Sequence, residues 1–126
     1  MKKIIVTDKA PGAIGPYSQA IQVGDFLFAS GQIPLDPATG QLVEGGVEDQ
    51  ARRVFENIKG LLESAGYTMQ HVVKSLVFAA DINDFAAING VYAQYFSENP
   101  PARSFVAVKD LPRGARLEVE VVAWKD

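Results

Sequence analysis

A chain of 126 residues, 48% hydrophobic and 21% charged, has the composition of an ordinary globular protein and the length of a single domain over residues 1–126. Its net charge of −3, with acids and bases interspersed, offers no basic stripe for nucleic-acid phosphates. It has no cysteine, which excludes disulfides, thiolate chemistry and cysteine-type zinc sites.

Lys2–Thr7 is a short apolar run that reads as a strand, too short for the core of a secretion signal. Nothing else approaches a membrane span, so the expected address is the cytoplasm. Ala10-Pro11-Gly12 and Gly15-Pro16 mark an irregular loop. Tyr17–Val23 and Phe26–Ala29 flank Gly24-Asp25 as the two arms of a hairpin. Gly31 through Gly46, rich in glycine and proline, reads as a long loop of the kind that carries function. Val47, Ala51, Val54, Phe55, Ile58, Leu61, Leu62 and Ala65 recur at steps of three and four. They predict an amphipathic helix with Glu48 and Asp49 in its first turn and Gly66 just past its end.

Val72–Ala80 is apolar on both alternations, as expected of a strand covered on both faces. A second helix follows, capped by Asn83 and running to about Ser97, with Phe85, Ile88, Val91, Tyr92, Tyr95 and Phe96 as its stripe. Asn99-Pro100-Pro101 stops it. Strands around Ser104–Val108 and Leu117–Trp124 complete the chain, with a turn at Leu111–Gly114 between them. The order, roughly βββαβαββ, implies an α+β layer of about six strands and two helices. Two helices cover one face of such a sheet. The other face would then carry the second apolar alternation of Val72–Ala80, and the chain is expected to form a closed homo-oligomer through it, enclosing a cleft for a small ligand.

Candidate chemistry is narrowed by what is missing. His71 is the only histidine and reads as a solvated turn residue. Without a cysteine or a second histidine, neither a nucleophile triad nor a transition-metal site is expected. No glycine-rich phosphate loop occurs, since Gly45-Gly46 lacks the following Lys-Ser/Thr. Arginine, glutamate, tyrosine, serine and backbone amides remain, a set suited to binding a small carboxylate and moving protons through water. Arg103 offers a planar fork to a carboxylate, although on spacing alone a surface arginine in an ion pair is the better reading. Glu118 and Glu120 read as the polar face of an alternating strand. Enclosure at an interface would raise a carboxyl pKa, and a nearby arginine would lower it. Tyr17 reads as a half-buried loop aromatic, and Ser30-Gly31 as a strand end where a ligand can approach the backbone.

Ala13-Ile14-Gly15-Pro16-Tyr17-Ser18-Gln19-Ala20 and Ser30-Gly31-Gln32-Ile33-Pro34-Leu35-Asp36 resemble the N-terminal half of the RidA (YjgF-type) family. Gln50-Ala51-Arg52, Asn57-Ile58-Lys59 and Phe85-Ala86-Ala87-Ile88-Asn89 resemble its middle. Pro101-Ala102-Arg103-Ser104 and Leu117-Glu118-Val119 match its C-terminal signature, so the resemblance spans the chain. It implies a chorismate-mutase-like α+β fold and a homotrimer with clefts between subunits. It also implies a cofactor-free deaminase hydrolysing 2-enamino and 2-imino acids such as 2-aminoacrylate to 2-keto acids and ammonia, with no metal and no nucleic-acid or membrane partner. Under it, Arg103 binds the substrate carboxylate and Glu118 holds or activates the hydrolytic water. Tyr17 and Ser30 line the cleft, Gly31 supplies a backbone donor, and Asn89 occupies a signature position in the middle region. Phe105 departs from the family, which often has a small residue or cysteine there, and would reshape the cleft if it faced it. Two other readings compete: a metabolite-binding module using the same cleft without turnover, and an RNA-cleaving inhibitor of translation, which the acidic charge and lone His71 oppose.

Overall fold

The structure, a computed structural model, describes all residues from Met1 to Asp126. Six strands form one mixed sheet: β1 (Lys3–Ile5), β2 (Ala20–Val23), β3 (Phe26–Ala29), β4 (Val72–Ala79), β5 (Ala102–Ala107) and β6 (Leu117–Trp124). Their spatial order is β1-β2-β3-β6-β4-β5, every neighbouring pair antiparallel except β4 and β5. The helices are α1 (Val47–Ser64) and α2 (Phe85–Tyr95). The parallel β4–β5 pair requires a crossover, and α2 provides it.

Side chains of the sheet separate cleanly by alternation. Leu27, Ala29, Val77, Ala79, Leu117, Val119, Val121 and Ala123 are buried and share one cluster with Val54, Phe55, Ile58, Leu61 and Leu62 of α1 and Ile88, Val91 and Tyr92 of α2. The opposite face holds Phe26, Phe28, Val106 and Trp124, all exposed, with Leu76, Phe78, Glu118, Glu120 and Val122 between them. Both helices thus cover the same face, and the apolar face opposite is open in the lone protomer.

The hairpin is as expected: Val23 pairs with Phe26 across Gly24-Asp25, and Gly24 takes the positive φ of 57° that the turn demands. In α1, Asp49 Oδ2 accepts from the Gly46 amide at 3.0 Å, and Gly66 ends the helix at φ 84°.

Several boundaries differ from the sequence expectations. Strand β1 is three residues long, and β2 begins at Ala20, not Tyr17. The buried Gln19 side chain instead binds the amide and carbonyl of Thr7 and the carbonyls of Ala10 and Pro11. The second helix starts at Phe85 after a 3₁₀ turn over Ile82–Asp84, and Asn83 is not its cap. Asp81 caps that turn by accepting from the Asn83 amide at 2.9 Å. The helix also ends earlier, at Tyr95. Its neighbour β5 begins at Ala102, directly after the prolines.

Candidate functional site

The residues singled out in the sequence gather in two groups on opposite faces of the sheet. Glu118 is opposite Phe78 in the β4–β6 register and so points to the open face. Arg103 is opposite Ser75 in the β4–β5 register and shares the helix-covered face with that buried serine. Because Ser75 and Phe78 are three residues apart on one strand, their partners project to different sides. A single protomer does not bring Arg103 and Glu118 together.

The first group surrounds Glu118. Tyr17, Ser30, Gly31 and Glu118, with Ile14, Ile33 and Pro112, line a cavity of about 400 Å³. The segment after β3 is clamped to β6 by a two-way backbone bridge between Gln32 and Val119, at 2.8 and 3.1 Å. That bridge lays Gly31 flat against Glu118, leaving no room for a Cβ. No intrachain hydrogen bond uses the Gly31 amide, and none reaches the Glu118 carboxylate. Partial burial raises the Glu118 pKa, and the charge of Glu120 two residues along the same face adds to it. The Ser30 hydroxyl is already committed, donating to the Ser18 carbonyl at 2.6 Å. Its oxygen is left as an acceptor, and its proton ties the end of β3 to the loop carrying Tyr17.

Tyr17 is half exposed, and its hydroxyl makes one long intrachain hydrogen bond, accepting from the Ile14 amide at 3.4 Å. The loop beneath it is anchored by Gln19. Its Oε1 accepts from the Thr7 amide at 2.8 Å, and its Nε2 donates to the carbonyls of Thr7, Ala10 and Pro11 at 2.9–3.2 Å. A segment with two prolines and two glycines and no ladder hydrogen bonds is thus held largely by one amide side chain.

The second group surrounds Arg103. Its Nη1 donates to Asn89 Oδ1 at 2.8 Å, and its Cζ lies 4.6 Å from the Tyr92 ring centroid and 5.8 Å from those of Phe85 and Phe105. No carboxylate approaches it: the one ion pair within 4.0 Å in the chain joins Arg116 to Asp84. A half-buried guanidinium without an acid is uncommon, because an unpaired buried charge is costly. Here aromatic faces and one amide oxygen replace the acid, and the remaining edge of the guanidinium is free. Asn89, Tyr92 and Arg103 border a cavity of about 320 Å³. Phe105 stands against the Phe85 edge at 4.8 Å between centroids, so it walls the arginine rather than the glutamate.

His71 is confirmed as a turn residue, its Nδ1 accepting from the Thr68 amide at 2.9 Å. No group of three or more His, Asp or Glu side chains is arranged to hold a metal ion, and no helix is long and apolar enough to cross a membrane.

The protein-family model described as Endoribonuclease L-PSP matches residues 7–125. The chain belongs to the RidA family. It is 53% identical over 126 residues to a RutC family protein of Pyrococcus horikoshii, covering 100% of both chains. It is 50% identical over 123 residues to the human 2-iminobutanoate/2-iminopropanoate deaminase, covering 98% of this chain and 90% of that one. The solved structure of Escherichia coli TdcF with bound serine superposes with a TM-score of 0.94 at 46% identity, covering 98% and 99%. The α+β sheet expected from the sequence is therefore that of RidA-family structures.

Two contributors of this RidA-family site were not legible beforehand. Tyr92 looked like one more position of an apolar helical stripe, and Ser75 like an interruption in a strand. A hydroxyl-bearing residue inside an otherwise apolar run was the available signal in both places. Gln19 was quoted only as part of a motif. A lone amide side chain between a loop and a strand does not reveal which carbonyls it will gather.

Proposed function

We infer that the chain hydrolyses 2-enamino and 2-imino acids, such as 2-aminoacrylate and its imine, to 2-keto acids and ammonia, at clefts between the subunits of a homotrimer. The observation that carries this reading is the half-buried Arg103 guanidinium, without an acidic partner and with a free edge. A small carboxylate supplies the missing anion. The identity to a 2-iminobutanoate/2-iminopropanoate deaminase supports the same substrate class.

In this reading the enamine first tautomerises to the imine. The Arg103 fork holds the carboxylate, and the Gly31 amide donates to the same ligand. Glu118 takes a proton from a water as the water oxygen bonds to the imine carbon, and passes it to the imine nitrogen, giving a tetrahedral carbinolamine. The carboxylate then takes the carbinol hydroxyl proton and delivers it to the nitrogen as the C–N bond breaks and the C=O bond forms, so that ammonia leaves with the 2-keto acid behind. Tyr17, at the rim, seats the substrate. A carboxyl whose pKa is raised toward neutrality suits both accepting and returning the proton.

Because Arg103 and Glu118 lie on opposite faces, a complete site needs the Arg103 group of one subunit and the Glu118 group of another, joined where the open apolar face is covered. Subunit mixing tests this. Arg103→Ala and Glu118→Gln are each expected to abolish accelerated pyruvate release after a lyase generates 2-aminoacrylate. Co-refolded in equal amounts, they should regain about one quarter of wild-type activity, the chance that an intact arginine faces an intact glutamate in a randomly mixed symmetric oligomer. No acceleration by the wild type would end the enzymatic reading. An active wild type whose mixed variants stay silent would end the intersubunit site.

A second reading rests on the TdcF structure with bound serine: a cleft that captures amino-acid-like metabolites without turning them over. Saturable binding of pyruvate by calorimetry, with no effect on 2-aminoacrylate decay, would favour it.

A further inference from the structure

Tyr92 is the best-secured aromatic residue of the second group, and its surroundings hold it in more ways than packing requires. Its hydroxyl exchanges a 2.6 Å hydrogen bond with the fully buried Ser75 Oγ. Its ring meets Phe55 edge-on at 5.6 Å and Phe96 at 4.6 Å between centroids. Ser75 is also the register partner of Arg103, so the residue pinning the ring's far end is level with the one lying over its face. Burial raises the Tyr92 pKa, the Ser75 bond and the Arg103 charge acting against it, so the phenol stays neutral and keeps its hydrogen bond.

Among the three rings near Arg103, Tyr92 is closest to the guanidinium carbon, 4.6 Å against 5.8 Å for Phe85 and Phe105. It is also the one anchored at both ends. Phe85 is exposed, and Phe105 is on the edge strand. A guanidinium lying on an immobile ring, with Asn89 gripping one nitrogen, has its plane set before any ligand arrives.

We propose that Tyr92 is a positioning residue: its ring, pinned by Ser75, is the seat that fixes the orientation of the Arg103 fork for a carboxylate. The proposal deepens the reading of Arg103 as the carboxylate-binding group and rests on it. Its physical content is preorganisation, since a fork that wanders between rotamers must be ordered at the expense of affinity when it binds.

The test varies the ring's electrons without its shape. Tyr92→Phe, and the same substitution carrying one to five ring fluorines, progressively weaken the attraction for a cation while filling nearly the same space. The probe is pyruvate, with its neutral amide as control, measured by calorimetry on the assembled protein. KM and kcat for the imine are measured alongside. Pyruvate affinity is expected to fall stepwise with fluorination, by about three- to tenfold at five fluorines. Affinity for the amide should stay level, and KM should rise with little change in kcat, the signature of lost uniform binding. Flat pyruvate affinity across the series, whatever happens to the melting temperature, would reduce Tyr92 to core filling and overturn the proposal. If the fluorinated chains fail to assemble, Ser75→Ala with Tyr92→Phe removes both hydroxyls and leaves neither orphaned. Unchanged pyruvate preference over the amide there refutes the pinning. Pyruvate binding that is independent of Arg103, shown by Arg103→Ala, would instead defeat the underlying assignment of the arginine.

Discussion

A Cβ at Gly31 would meet the far end of the Glu118 side chain, whose carboxylate occupies the place where it would project. Gly31→Ala must therefore displace that carboxylate or the bridge beside it. We expect kcat to fall about 10- to 100-fold, the scale of a misplaced catalytic group, with a smaller change in melting temperature. Glu118 itself carries a pH signature. Burial first, and Glu120 second, raise its folded-state pKa, so the folded chain holds this proton more tightly than the unfolded chain. The resulting stability is fully present at low pH and is lost as pH rises through the raised value. Glu118→Gln should accordingly melt above the wild type at neutral pH, with the gap closing as the pH drops into the carboxylate range. If Glu118 acts as the base, the acid limb of kcat/KM lies above the ordinary carboxylate range, and Glu120→Gln should move it down. A limb that ignores Glu120 would remove that glutamate from the account.

At the scale of elements, the N-terminal loop depends on Gln19. Removing its side chain deletes four hydrogen bonds and leaves buried peptide groups unsatisfied. Gln19→Ala should cost about 2–4 kcal/mol, lower the melting temperature by about 10 °C, and open residues 8–16 to proteases, read as a new cleavage band. Elements governed by local patterning were legible in advance: the α1 stripe, the Gly24-Asp25 hairpin and the alternation of Leu117–Trp124 each obey a short-range rule. What escaped were contacts made at long range by polar side chains. Strand β2 begins at Ala20, later than the expected Tyr17, and the Gln19 side chain reaches back to Thr7, Ala10 and Pro11 across the loop before it. Asp81, four residues before the helix, caps the 3₁₀ turn leading into it, and the helix itself has no side-chain cap where Asn83 was expected to supply one. Most of the candidate site residues were nameable from signature motifs, Tyr92 and Ser75 were not, and the division of the candidates between two faces depends on the β4 registers with β5 and β6, which no local pattern reveals.

For the whole molecule, the decisive feature is the uncovered apolar face. Phe26, Phe28 and Trp124 lie on it, each more than 40% exposed, a contiguous surface of the kind that marks association. If the proposed trimer forms through it, Phe28→Asp buries an unpaired charge at the seam and should sediment as a monomer without deaminase activity. Retention of a trimer by that variant would place the seam elsewhere.

In the proposed intersubunit site two opposite charges serve one ligand, and such charges on one chain face a hazard: they can neutralise each other and leave nothing to attract the ligand. The sheet between Arg103 and Glu118 removes that hazard. Acting as an insulating partition, it keeps an arm of either sign from reaching across to its counterpart, so each protomer holds a guanidinium and a carboxylate that cannot short-circuit.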